Sequence, residues 1–318
     1  MAKDIISTLS DFLLCHILSF LEAKHVVATA VLSKRWSNLW LYVHILEFYA
    51  RLTDENANFR FNDFVYSVLL SRDPAISIKR FKLFVDYDCE EDLNLPTLGF
   101  AKWINYVIQR GVQHLDLFLD LPSIPKLPNT IFSCKTLWLH SEDSLSCNKW
   151  KNFILSNLID ANVDSSYFHF PLKTLHNVQY LEISIAKMHS FSDFIPTFHN
   201  LTYLHLSCLN YRWHFLVEVL KHCPNLQDLD IDEAGAYATE ETWTRKDDKE
   251  NWMDPDFVPQ CLSLHLRNCH LLNFFGLQGI PASLQSLNLV SDVIQDFRVD
   301  GRSEASLEAR ASSDGDSD

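Results

Sequence analysis

The chain has 318 residues, enough for about two domains or one long repeat array. Its 27 Lys and Arg against 41 Asp and Glu leave a formal charge of −14, which phosphate backbones repel, so general nucleic-acid binding is excluded. Only 7 glycines occur, and no GxGxxG or GxxxxGK[ST] can be drawn from them, which removes the glycine-rich dinucleotide and P-loop motifs. A hydrophobic fraction of 47% is that of a chain with a sizeable core.

The N-terminus lacks a basic segment feeding an apolar run, so it does not read as a secretory signal. No stretch approaches the length of apolar sequence a membrane span requires. The 8 cysteines include no CxxC pair and read as core thiols of a reduced compartment, the cytoplasm or the nucleus. No metal, cofactor, nucleic-acid partner or membrane partner is expected.

Three short helices are predicted in the first fifty residues. Ser10 or Asp11 caps the first. Behind it Leu13, Leu14, Ile17, Leu18 and Leu21 recur at helical spacing. Val27, Ala28, Val31 and Leu32 mark a second helix, and Trp36, Leu39 and Trp40 a third, capped by Ser33. Helices this short cannot bury so much apolar surface among themselves. Part of the stripe faces either the following domain, as a solenoid cap, or another protein.

The stretch LLCHILSFL, the segment from Val31 to Trp36 and the trailing Leu39-Trp40 resemble an F-box, in the form found in plant F-box proteins with leucine-rich repeats. That resemblance implies docking on a Skp-type adaptor and, through it, a cullin scaffold. It places Leu9, Ser10, Leu14, Ile17, Leu18, Leu21 and Trp36 at the adaptor. The family's proline after the leucine is Ser10 here, and a second proline is replaced by Glu22. If that proline pre-sets the entry into the first helix, Ser10→Pro tightens adaptor binding.

Beyond residue 77 apolar residues recur at x, x+3 and x+5, the core spacing of a leucine-rich repeat strand. Such units begin at Ile78, Val112, Cys134, Val178, Leu201, Leu226, Cys261 and Leu284, with steps of 34, 22, 44, 23, 25, 35 and 23. The step of 44 holds two units of 22. Between strands the period becomes helical at Trp103, Ile104, Val107 and Ile108, ended by Gly111. It does so again at Trp213, Leu216, Val217 and Leu220, stopped before Pro224. Cys269 takes the Asn/Cys turn position of the Cys261 unit. The string from Trp252 to Leu262 resembles the start of the FBD region of the same plant family.

The expected architecture is α/β: a three-helix F-box at 4–50 and a linker helix at 51–77, then an irregular leucine-rich repeat solenoid at 78–250. A partial FBD-like region at 251–290 ends in a strand near 285–290, and a disordered tail spans 300–318. Residues between the core positions face the concave side. One column there is Asp116, Trp138, Glu182, His205, Asp230, His265 and Asn288; flanking columns add His114, His140, Tyr180, Tyr203, Asp228, Asp232 and Arg267. Trp138, His205, Asp228, Asp230, Asp232, His265 and Arg267 form an acidic and aromatic groove for an unknown substrate protein, or a merely solvated sheet face. No catalytic residue is expected. The function the resemblance implies is substrate receptor of a cullin-based ubiquitin ligase. The alternatives are a drifted decoy with weak adaptor binding and a hydrolase built on concave His and Asp.

Overall fold

The computed structural model describes residues 6–87, 99–120, 127–141, 157–165, 172–184, 195–208, 213–232, 259–274 and 296–301. The chain divides into two compact units, one of Met1–Leu158 with Tyr167–Phe170, the other of Ile159–Ser166 with Pro171–Asp318.

The first unit opens with the helical module. Ser10 caps α1 (Asp11–Leu18), its Oγ accepting from the backbone N–H of Leu13 at 3.3 Å. Arg35 reaches back to the Asp11 carboxylate at 2.7 Å and donates to the Leu9 carbonyl, pinning the entry to α1. α2 (Ala23–Ala28) and a 3₁₀ helix at Trp36–Tyr42 complete the module. Leu14, Leu18, Val26, Leu39 and Val43 form its core, with Leu9, Cys15, Trp36 and Trp40 packed around them.

Four parallel strands follow in chain order: β1 (Ile45–Leu52), β2 (Arg80–Tyr87), β3 (His114–Asp120) and β4 (Thr136–Ser141). The first lies ahead of the first expected unit, because Val43, Leu46 and Phe48 are themselves an x, x+3, x+5 triplet and all are buried. The segment at 51–77 is therefore a repeat connection, carrying α3 (Glu55–Leu70) from β1 to β2. α4 (Phe100–Gln109) joins β2 to β3 and ends at Gly111, whose φ of 76° is the left-handed conformation glycine tolerates. Trp103 of α4 is fully buried, with Phe61, Tyr66 and Phe100 arranged edge-on around it. Arg72, at the end of α3, is buried and donates to the Trp40 and Val43 carbonyls, and burial pushes its guanidinium down to about 10.

The second unit continues the pattern with β5 (Asp160–Ser165), β6 (Tyr180–Ser184), β7 (Tyr203–Ser207), β8 (Asp228–Asp232), β9 (Asn268–Phe274) and β10 (Asp296–Gly301), again parallel and in order. β5 fills the 44-residue gap, dividing it into steps of 24 and 20 at Leu158, Ala161 and Val163. Ala161 hides the triplet from a search for large apolar residues, yet it is fully buried. α5 (Trp213–Lys221) lies between β7 and β8 where the helical period placed it.

One backbone device repeats through both units. The carbonyl at x+1 accepts from two successive N–H groups of the next strand: His44 from Lys79 and Arg80, Lys79 from Gln113 and His114, Gln179 from Thr202 and Tyr203, Thr202 from Gln227 and Asp228. The same carbonyl of Gln227 accepts from Arg267 and Asn268. This fixes the next unit at Leu266, Cys269 and Leu271, five residues after the expected Cys261 start.

The expected Cys261 unit is thus corrected. Cys261, Leu264 and Leu266 fit the strand template, but Pro259 starts a helix, α6 (Gln260–Leu264), which buries Cys261 and Leu262 and leaves Leu264 exposed. Cys269 is a buried strand residue opposite Leu229, not a turn residue. At the far end β10 pairs with β9, Phe297 level with Cys269 and Val299 with Leu271, so the tail expected from residue 300 overlaps a strand. The strand expected near 285–290 lies outside the described residues, as do 302–318. No helix among the described residues is long and apolar enough to cross a membrane.

Candidate functional site

Two kinds of surface are open to partners: the outer side of the helical module and the polar face of each sheet. On α1 the apolar stripe is wider than one helix face can bury. Leu14 and Leu18 point into the module core and are 0% and 1% exposed. They are unavailable to an adaptor in the folded state, which corrects their expected placement. Leu9 and Trp36 lie half-buried against the same core. Of the expected set only Ile17, 47% exposed, and Leu21, 38%, present apolar side chains outward, beside the exposed polar Ser10. Phe12, Leu13 and Phe20 join them from α1 and its end, and Val31 and Leu32 from the segment after α2. Val31 is 86% exposed, an arrangement water disfavours. These additions were visible as surplus apolar residues in the helical pattern. Which of them remained outside was decided by how α1 seats on Leu39 and Val43.

On the first sheet the outward positions level with Asp116 and Trp138 are Glu47 and Lys82. The next outward row carries Tyr49, Phe84, Phe118 and His140. Their rings form one continuous stack across β1 to β4, with centroid separations of 5.8, 4.2 and 4.3 Å and the last two pairs within 10° of parallel. Lys82 extends its ammonium over the Tyr49 ring, 5.2 Å from the centroid. Arg80 pairs with Asp116 at 3.5 Å, and Arg51 with Asp86 at 2.8 Å. Burial raises the Asp116 carboxyl above the usual carboxylate range, against the pull of Arg80 and Lys82. Trp138 and His140 are among the concave residues expected from the sequence; Tyr49, Phe84 and Phe118 are not, Tyr49 because β1 lies ahead of the first expected unit at Ile78.

On the second sheet the strands β5 to β8 carry six carboxylates and no Lys or Arg. Asp230 is central. It accepts from the Tyr203 hydroxyl at 2.7 Å, and its other oxygen lies 2.8 Å from His270 Nδ1. Burial and the neighbouring Asp230 carboxylate hold the Tyr203 phenol well above its ordinary value. Asn268 donates to Asp228, and Asn162 to Glu182. His205 stands between Glu182 and Asp230 in register. Asp232 lies at the far end of β8, half-buried.

The structure therefore brings together His205, Asp228, Asp230 and Asp232 but not His265 or Arg267. Both precede β9, and His270 takes the place expected of His265 because the repeat starts at Leu266. Asn288 lies outside the described residues. Among the described residues no group of three or more His, Cys, Asp or Glu is placed to hold a metal ion. The buried thiols of Cys134 and Cys269 are each pushed up to about 12 by desolvation, which removes thiolate character at neutral pH.

Residues 6–48 match the F-box domain family. Three similar curated proteins, each from Arabidopsis thaliana, illustrate the likeness. An F-box/LRR-repeat protein is 29% identical over 86% of this chain and 62% of its own length. F-box/LRR-repeat protein 13 is 36% identical over 42% of this chain and 29% of its own. An F-box/FBD/LRR-repeat protein is 35% identical over 54% and 37% respectively. The chain thus spans less than two thirds of the length of each of these relatives. No solved structure matches it.

Proposed function

We propose, from the premise that the chain belongs to the plant F-box/leucine-rich-repeat proteins of the FBD-containing family, that it is a substrate-recognition subunit of an SCF-type ubiquitin ligase. It makes and breaks no bond itself. The F-box docks on a Skp-type adaptor, the adaptor joins a cullin, and the sheet faces hold a target protein. Transfer is then favoured by the raised effective concentration of the target near the ubiquitin-bearing partner.

The observation that carries this reading is the surplus apolar surface of the F-box module. Its core is complete with Leu14, Leu18, Val26, Leu39 and Val43, yet Ile17, Leu21, Phe12 and Val31 stay in water. Burying such side chains against a partner contributes about 1.5–3 kcal/mol each when complete. A helical cap serving only the solenoid would bury these residues, and they stay exposed.

The test is co-purification of the full chain with a plant Skp-type adaptor, followed by titration. The wild type is expected to form a stable complex that Ile17→Asp disrupts. Absence of any wild-type complex overturns the reading in favour of a decoy.

A further inference from the structure

The surface row of the first sheet breaks the rule that an open sheet face is polar. Tyr49, Phe84, Phe118 and His140 occupy positions where solvent-facing polar residues are expected, and all four are half-buried, not covered. Trp138 lies beside them with 51% of its surface exposed. Because the rings stack on one another, their flat faces are used within the ladder and mainly their edges remain for a partner.

The charges around the ladder are largely matched on the face itself. Arg80 meets Asp116, Arg51 meets Asp86, and Lys82 sits over Tyr49 with Glu47 bonded to the Tyr49 hydroxyl at 3.3 Å. A strongly charged partner would have to compete with these pairs. An uncharged apolar partner displaces water from ring edges and the Trp138 indole without disturbing them. The second sheet is the opposite case, six carboxylates without a cation on β5 to β8.

We propose that the aromatic ladder and Trp138 form a docking surface for an uncharged, apolar segment of a target protein. This rests on the substrate-recognition reading above and gives it a substrate class. Four strands about 4.8 Å apart make a ladder about 14 Å long, the reach of four or five extended residues. Such a segment lays two or three large apolar side chains along the ring edges and Trp138.

The test uses the full chain and three fluorescent peptides of about twelve residues, read by anisotropy. One carries Leu and Phe among Gly and Ser, one is rich in Lys and Arg, and one in Asp and Glu. The neutral apolar peptide is expected to bind best, with affinity steady to within about twofold between about 50 and 500 mM salt. Trp138→Ala, which removes an exposed side chain and leaves the core intact, is expected to weaken it by about fivefold or more. Phe118→Asn, which breaks the stack, is expected to do the same.

No binding of the neutral peptide, equal binding by Trp138→Ala, or tighter salt-sensitive binding of a charged peptide each overturns the proposal. The same preparations are tested for adaptor binding. Adaptor capture without peptide binding overturns the ladder alone; peptide binding without adaptor capture overturns the ligase reading alone.

Discussion

His270 and Asp230 meet across β8 and β9, Nδ1 to Oδ1 at 2.8 Å, while Tyr203 bonds the other Asp230 oxygen from β7. One carboxylate thus ties three neighbouring strands on the solvent side. Removing it leaves the Tyr203 hydroxyl and the His270 ring without that partner. Asp230→Ala is expected to cost about 1–3 kcal/mol, read as a lower urea midpoint with unchanged slope. Tyr203→Phe, which deletes one of the two contacts, is expected to cost less than Asp230→Ala; an equal or larger loss would show that the strands are not tied through the carboxylate.

Two substitutions on α1 separate folding from docking. Leu14 is fully buried, so Leu14→Asp places a charge in the F-box core and is expected to unfold the module, lowering helical CD and adaptor binding together. Ile17 is exposed, so Ile17→Asp is expected to leave CD and Tm unchanged while abolishing adaptor capture. Equal loss of structure in both variants would place Ile17 in the core of a cap.

Ser10 has φ of −68°, which a proline ring accepts, but its hydroxyl caps α1. Proline at this position stiffens the entry by about 0.4–1 kcal/mol and loses a cap worth about 1 kcal/mol. The tighter binding suggested by the family's proline is therefore offset. Ser10→Pro is expected to change adaptor affinity by less than about threefold, whereas Ser10→Ala weakens it by up to about fivefold by calorimetry.

Asp116 makes stability depend on pH. Its carboxyl is raised in the fold, chiefly by burial, so folding favours the protonated form. That contribution is fully present below the unfolded value of about 3.9 and is lost as pH rises through the folded value. Asp116→Asn is expected to match the wild type near pH 3 and to melt higher at pH 7. A variant that melts lower at pH 7 would mean that the Arg80 pair outweighs burial.

β10 covers the far edge of β9. Truncation after Gly301 is expected to leave Tm unchanged, while truncation before Asp296 exposes the β9 edge and lowers Tm by several degrees, about 2–4 °C for each kcal/mol lost. Equal melting of the two truncations by calorimetry would show that β10 adds nothing to the stack.

The strands at Ile78, Val112, Cys134, Val178, Leu201 and Leu226 were legible because x, x+3 and x+5 must all be apolar when one strand face and the preceding turn are buried together. Helices α4 and α5 were legible from their 3.6-residue stripes and their Gly111 and Pro224 stops. Where the chemistry of burial is satisfied by other residues, the pattern alone misleads. Ala161 fills its place in β5 with a small side chain. Cys261, Leu264 and Leu266 fit a strand, but Pro259 begins a helix there, and only the pairing of Arg267 and Asn268 with the Gln227 carbonyl moves the repeat to Leu266 and brings His270 to Asp230. In α1 the spacing marks Leu13, Leu14, Ile17, Leu18 and Leu21 alike as apolar. Packing against Leu39 and Val43 sends Leu14 and Leu18 inward and leaves Ile17 outside, because a helix can turn only part of its circumference to one core. The aromatic ladder is tertiary in the same sense: Tyr49, Phe84, Phe118 and His140 are separated by 35, 34 and 22 residues in the chain and become neighbours through strand register.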